Sequence, residues 1–253
     1  MSGRSISTHT ADVVLRRLLA FRAVSDEAAA MLEQAVRGHI LVAPAGQELA
    51  REGDAALSVL MMLSGWAARY KMLEDGRRQI VNLALPGDTC DAQVYFVKRL
   101  DHSIAALTPV SYAELDRERF ESLIACDRRL AEAFWCETLS NAAIQREWTL
   151  NLGRRDAYER VAHLLCEVMT RLRTVGLIDG ASCTFPITQT DLADATGLSV
   201  VHVNRTLQEL RSAGLIVLRD RTLTVPDFKA LMEAAMFDPE YLHYGSPHDA
   251  SPG

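Results

Sequence analysis

Several things are scarce in this chain of 253 residues. Cysteine is one: Cys90, Cys126, Cys136, Cys166 and Cys183 are an odd set with no C-x-x-C pair. That pattern speaks against a disulfide framework and for reduced thiols. Long apolar runs are absent, so no stretch reaches the span of a bilayer, and no membrane partner is expected. Met1–Thr10 is polar and lacks the apolar core of a secretory signal, which makes the cytoplasm the expected location. There is no Walker loop, no G-x-S-x-G and no histidine cluster at metal-ligand spacing. Those gaps remove the common signatures of enzymes, and no catalytic residue or metal site is expected. Basic excess is missing too: 27 Lys+Arg face 33 Asp+Glu, a net charge of −6. What remains is a globular composition, 49% hydrophobic and 24% charged, long enough for a real core.

The most informative stretch is Ile187–Gly214. Leu192, Ala193, Ala195 and Leu198 give a first short helix and its turn an inward face. Gly197 stands where the chain must reverse through a left-handed conformation. Ser199 is placed to cap the next helix with its hydroxyl. Val203, Leu207 and Leu210 recur at helical spacing and mark that helix's buried face. Its other face carries Val200, Val201, His202, Asn204, Arg205 and Gln208, which leaves it free to enter a DNA major groove. The surrounding residues 152–236 hold ten bases and ten acids. Phosphate contacts must therefore come from local arginines, with Arg154, Arg155, Arg205, Arg211, Arg219 and Arg221 as candidates.

The rest of the chain changes texture in a fixed order. Residues 11–38 read as helix, with Ser25 as a cap that restarts it. From Ile40 to Asp116, Val59–Leu63, Ala67–Met72, Gln79–Leu85 and Val110–Leu115 alternate with glycine turns, which suggests a β-sandwich or barrel. Arg117–Cys126 and Arg128–Leu150 return to helix. The longer helix has two largely apolar stripes. Leu130, Phe134, Asn141, Ile144 and Trp148 form one, assigned here to dimerisation with Asn141 setting register. Trp135, Leu139, Ala142, Arg146 and Leu150 form the other. Leu152–Arg155 reads as a hinge and Asp156–Arg173 as another helix. Ile216–Arg219 and Thr222–Val225, around Asp220-Arg221, read as a small hairpin, the wing of a winged helix. The expected fold is α+β: residues 1–126 as N-terminal helices and β domain, 127–152 as a dimerisation helix, 153–236 as a winged helix-turn-helix, and 237–253 as a flexible tail.

This order, with Arg51-Glu52-Gly53-Asp54, Leu63-Ser64-Gly65, Asp75-Gly76-Arg77 and Leu85-Pro86-Gly87-Asp88, resembles the Crp/Fnr (cyclic-AMP receptor protein) family of bacterial transcription regulators. Its glycines are spaced as in a cyclic-nucleotide-binding β-roll. The resemblance covers roughly Leu15 to Leu231. It implies a homodimer on an inverted-repeat operator, with double-stranded DNA as partner and RNA polymerase contacted by an activator. It aligns Arg205 with the family's guanine-reading arginine, and a bidentate Arg–guanine contact contributes about 1–3 kcal/mol of discrimination. Val200 and Val201 stand where other members place polar readers and offer only apolar contact. His202 and Asn204 are candidates for added polar contacts, and Thr188, Gln189 and Ser199 suit phosphate anchoring.

The effector pocket that the resemblance implies maps onto Gly87, Asp88, His102, Ser103, Gln145 and Arg146. Cyclic-nucleotide binders have a Gly-Glu pair and an arginine that fixes the phosphate. Asp88 replaces the glutamate here and His102 stands in the arginine's place, which speaks against cyclic AMP. No cysteine precedes Cys90, against an N-terminal iron–sulfur cluster. Cys90 and His102 are the only pair in that domain that could supply haem or metal ligands, and no cofactor is expected. Cys183 is read as a buried structural thiol. The competing readings are a cyclic-nucleotide-binding signalling module and a haem- or redox-sensing regulator of the same family.

Overall fold

A computed structural model describes residues 12–92 and 96–245. The chain opens with two short helices, α1 (Asp12–Leu19) and α2 (Asp26–Arg37). The expected restart is present: the Ser25 hydroxyl accepts the Ala28 N–H and caps α2. Eight strands follow: β1 (Ile40–Ala43), β2 (Glu48–Ala50), β3 (Ser58–Ser64), β4 (Ala67–Met72), β5 (Arg78–Ala84), β6 (Thr89–Cys90), β7 (Ser103–Ala106) and β8 (Val110–Asp116). The four expected strands correspond to β3, β4, β5 and β8. The other four are only two to four residues long, too short to show a period of their own.

The strands form two antiparallel sheets, ordered β1-β8-β3-β6 and β2-β7-β4-β5. Leu60, Met62, Ile104, Val110 and Tyr112 fill the space between them. The outer face of the first sheet, with Val59, Met61 and Leu115, is covered by Val14, Leu18, Leu32 and Phe134 from the flanking helices. Val59–Leu63 is therefore buried residue after residue. Both faces of β3 are covered, so the polar alternation of a half-exposed strand is not needed.

Helix α3 (Arg117–Cys126) leads into α4 (Arg128–Gly153), 26 residues and about 39 Å long at 1.5 Å per residue. Here one expectation is corrected. Leu130 and Phe134 are buried against α1–α3, and Ile144 and Trp148 against the second sheet and the C-terminal unit. The chain's own core consumes this stripe, so it cannot also line a seam with a second copy. Trp135, Leu139, Ala142, Arg146 and Leu150 are the stripe left exposed.

Helix α4 runs to Gly153, so the turn into α5 (Ala157–Thr174) is Arg154–Arg155–Asp156. Asp156 and Glu159 close the start of α5 with a reciprocal capping box. The C-terminal unit continues with β9 (Ser182–Thr184), α6 (Gln189–Thr196), α7 (Val200–Ser212), β10 (Val217–Arg219), β11 (Thr222–Thr224) and α8 (Phe228–Ala235). The wing turns on Asp220 and Arg221, both left-handed (φ 48° and 58°). That is the twist a two-residue hairpin requires. Its third strand, β9, pairs Cys183 with Leu223.

The expected tail needs a second correction. Residues 237–245 carry a 3-10 turn, Pro239–Leu242, and Phe237 and Leu242 are buried. Ser140 Oγ of α4 donates to Leu242 O at 2.9 Å. Apolar anchors hide in this short segment, and its acidic, proline-bearing composition conceals them. Residues 246–253, the remainder of that expected tail, lie outside the described residues.

Candidate nucleic-acid interface and buried cavity

The helix-turn-helix is built by local chemistry. Thr188 caps α6: its hydroxyl accepts the Asp191 N–H, and Asp191 Oδ2 accepts the Thr188 N–H and O–H. The hydroxyl is thus engaged in closing the helix end. Gly197 ends α6 at φ 64°, and a Cβ there would stand 2.9 Å from Leu152 Cδ2. Glycine is required both by the backbone and by the approach of α4. Ser199 Oγ accepts the His202 N–H and starts α7. Val203, Thr206, Leu207 and Leu210 are buried below it.

The outer face of α7 stands clear of the rest of the chain. Val201 is 81% exposed and Val200 42%. With Gln189, Asn204, Arg205 and Gln208 they line one shallow open groove. Asn204 Nδ2 donates to Gln189 Oε1 at 3.1 Å, tying the recognition helix to the start of α6. The exposed Arg205 donates to His202 Nε2 at 2.8 Å and lies 3.6 Å from Glu209. These neighbours hold the guanidinium along the helix face. Arg154, Arg211, Arg219 and Arg221 are exposed. Arg155 is not available: it donates to Glu147, Asn151 and the Met236 carbonyl.

Between the β domain and α4 lies a cavity of about 490 Å³. Its walls are Arg69, Lys71, Val81, Asn82, Thr89, Ala92, Asp101 and His102 from the β side, and Glu137, Thr138, Asn141, Ala142 and Gln145 from α4. Of the six expected effector residues, His102 and Gln145 reach this cavity. Gln145 Nε2 donates to the Val81 carbonyl. Ser103 accepts the Glu52 N–H at 2.9 Å, and Arg146 is exposed on α4. Gly87 and Asp88 face α1 and α5 instead. A Cβ on Gly87, whose φ is 95°, would come 2.8 Å from both Val13 O and Val175 Cγ1. Asn141, expected at a dimer seam, lines the cavity. Its remaining walls escaped the sequence reading because they come from separate strands joined only by the sheet register.

The cavity floor is polar and compact. His102 stands between Asp91 (3.2 Å) and Asp101 (2.8 Å). Burial opposes a charge on His102, but the hydrogen bond and charge of Asp91 outweigh it and raise its pKa. Arg69, partly buried, donates to the Thr89 carbonyl at 3.2 Å and lies 3.9 Å from Asp91. Among the described residues, Asn82 Oδ1, Thr89 Oγ1 and Glu137 Oε2 are buried without a hydrogen-bond partner, and all three residues line this cavity. Cys90 is buried beside it, its thiol pushed up to about 12 by desolvation. Among the described residues there is no group of three His, Cys, Asp or Glu arranged to hold a metal.

A run of buried charges connects the cavity wall to α5. Glu137 Oε1 accepts the Thr89 N–H at 2.9 Å and lies 3.8 Å from Arg17 of α1. Arg17 is 3.3 Å from Asp88, and Asp88 accepts from Arg171 of α5 at 2.5 Å. Arg171 also donates to Glu167 at 3.0 Å and to the Leu83 carbonyl at 2.6 Å. Trp148 Nε1 and the Tyr241 hydroxyl donate to Glu167. Desolvation lifts Glu137 to about 7 and raises Glu167. Arg171 stays raised despite its burial because Asp88 and Glu167 hold its charge. No sequence signal could have found this cluster, because its five members are spread from residue 17 to residue 171.

Comparison with known proteins agrees with this architecture. Residues 40–127 match the cyclic nucleotide-binding domain and residues 159–234 the Crp-like helix-turn-helix domain. The chain is 32% identical over 200 residues to the transcriptional activator protein FnrL of Cereibacter sphaeroides, covering 76% of this chain and 78% of that one. It is 32% identical over 185 residues to the nitrogen fixation regulation protein FixK of Azorhizobium caulinodans, covering 69% and 73%. The structure of FixK2 from Bradyrhizobium japonicum superposes with a TM-score of 0.69 at 26% identity, over 77% of this chain and 96% of that one. Among the described residues no helix is long and apolar enough to cross a membrane. With a β-roll, a long helix and a winged helix-turn-helix in that order, this chain belongs to the Crp/Fnr family of DNA-binding transcription regulators.

Proposed function

We propose that the chain acts in the cytoplasm as a homodimer on an inverted-repeat site, with α7 of each copy in successive major grooves. The observation that carries this is the free outer face of α7, where Val200, Val201 and Arg205 surround an open groove while the opposite face is sealed in the core. Arg205 is the guanine reader, and the valines favour a thymine methyl beside it. Residues 153–236 are the DNA-binding domain, 127–152 the dimerisation helix and 1–126 the sensory part. The exposed stripe Trp135, Leu139, Ala142, Arg146 and Leu150 is the seam. The relatives' name of activator favours activation, with RNA polymerase as a further partner. In a gel shift on a duplex chosen by the wild-type protein, Arg205→Ala should weaken specific binding by about 1–3 kcal/mol or more. Unchanged affinity would overturn the assignment.

The cavity is the place for a signal, and its unpartnered Asn82, Thr89 and Glu137 atoms favour a small polar ligand. The residues present do not fit a cyclic nucleotide. Asp88 is committed to Arg171 and Arg17 away from the cavity, and Arg69 in the cavity wall already donates to the Thr89 carbonyl and lies 3.9 Å from Asp91. Millimolar cyclic AMP should leave the melting temperature unchanged, and a clear upward shift would refute this.

A further inference from the structure

We propose that Asp88–Arg171 and Arg78–Asp191/Asp194 form a two-point latch that fixes the DNA-binding unit on its own β domain in a DNA-competent orientation. Asp88, Arg171, Arg78 and Asp191 are thereby positioning residues for operator recognition. The inference rests on the dimeric reading above.

The inner point is the buried pair Asp88–Arg171, 2.5 Å apart, with Arg171 also bound to the Leu83 carbonyl of β5. Both side chains are at most 5% exposed. A charge pair removed from water costs more than most apolar contacts unless its geometry is closely met. It therefore tolerates one relative placement of β5, the β5–β6 turn and α5. Arg17 adds to this. It lies 3.3 Å from Asp88, and its guanidinium sits over the Tyr244 ring at 4.7 Å. Helix α1 thus touches the β domain and the end of the C-terminal unit at once.

The outer point holds the helix-turn-helix itself. Arg78 of β5 donates to Asp191 at 2.8 Å and to Asp194 at 2.7 Å. Gln79 donates to the Asp194 carbonyl at 2.6 Å. Both acids lie on α6, whose first turn faces phosphate in the proposed complex. Arg78 neutralises them there. The latched unit leaves α7 open, so the latch favours binding rather than blocking it.

A fixed orientation matters for a two-fold site and not for half of one. Two recognition helices must meet grooves one turn, about 34 Å, apart. Loosening either unit lowers the effective concentration of the second contact while leaving each single contact intact. The experiment uses the full-length protein, an inverted-repeat duplex selected by the wild type from a random-sequence pool, and the same duplex with one arm scrambled. Arg171→Met should lose about tenfold on the inverted repeat and stay within about twofold on the single arm. Arg171→Lys should recover part of the loss. Trypsin should cut faster at Arg154 in the Met variant. An Arg171→Met protein that melts cooperatively yet binds the inverted repeat like wild type overturns the latch, as does an equal loss on both duplexes. If Arg171→Met does not fold, the half-exposed Arg78→Gln decides by the same two criteria. If the wild type shows no preference for two arms over one, the dimeric reading fails instead. The latch is then judged by trypsin: faster cutting at Arg154 in Arg78→Gln supports it, and unchanged cutting overturns it.

Discussion

At the scale of single residues, two buried groups pull the stability of the fold in opposite directions as pH changes. Glu137 has its carboxyl lifted from 4.5 to about 7 by desolvation. The folded state binds its proton more tightly than the unfolded state. Its contribution is fully present below pH 4.5 and is lost as pH rises through 7, about 3 kcal/mol in all. His163, buried between Asn151, Phe237 and Tyr241, is lowered to about 3 by burial and by Arg155. Its contribution is fully present above pH 6.5 and is lost as pH falls through 3, about 5 kcal/mol. Urea melts should therefore show Glu137→Gln more stable than wild type at pH 7.5 and indistinguishable from it at pH 4. His163→Phe should flatten the loss of stability between pH 6.5 and 4. If neither variant changes the pH profile, these two groups do not govern it.

At the scale of elements, legibility followed locality. The helix-turn-helix and wing could be read because the turn at Gly197, the cap at Ser199 and the Asp220-Arg221 hairpin are local features, whereas Thr188, read as a phosphate anchor, caps α6 instead. Of the strands around the cavity, β4 and β5 could be read from their own runs, but β6 and β7 could not, because they exist only through their partners. Helix α4 shows the difference most clearly. Two apolar stripes about 155° apart, on nearly opposite faces of the helix, carry similar periodicity, and periodicity does not say which neighbour each stripe meets. Three polar residues lie on the helix's inward side: Glu137 and Asn141 line the cavity, and Ser140 donates to the Leu242 carbonyl. The exposed stripe makes a direct prediction. Leu139, 61% exposed, should be replaceable by Glu with no loss of helical signal. The same Leu139→Glu protein should run as a monomer in light scattering and lose affinity for an inverted repeat. A Leu139→Glu dimer would move the seam elsewhere.

At the scale of the whole molecule, the β domain and the DNA-binding unit share one apolar cluster, from Tyr70 and Ile80 through Trp148 to Leu207 and Phe237. The sequence reading of a hinge followed by an independent domain missed this, because its evidence was the Gly153-Arg154-Arg155 run. The contacts that bind the two parts run from β5 and the turn after it to α5 and α6, more than 80 residues away. Residues 237–245 belong to the same cluster. Deleting 237–253 removes Phe237 and Leu242 and exposes their partners, at about 5 kcal/mol. The melting temperature should fall by about 10–20 °C. A truncated protein that melts with the wild type would show that these anchors contribute little.

The Tyr244 ring packs against Phe21 in a tilted pair at 5.4 Å, and the Gly245 N–H donates to the Ala20 carbonyl. The consequence concerns α1. Arg17 is covered from two distant parts of the chain, Asp88 of the β5–β6 turn and Tyr244. Helix α1 therefore has a complete seat only when both are in place. The seat of α1 is thus made jointly by the β domain and the end of the C-terminal unit, and loosening either one loosens α1.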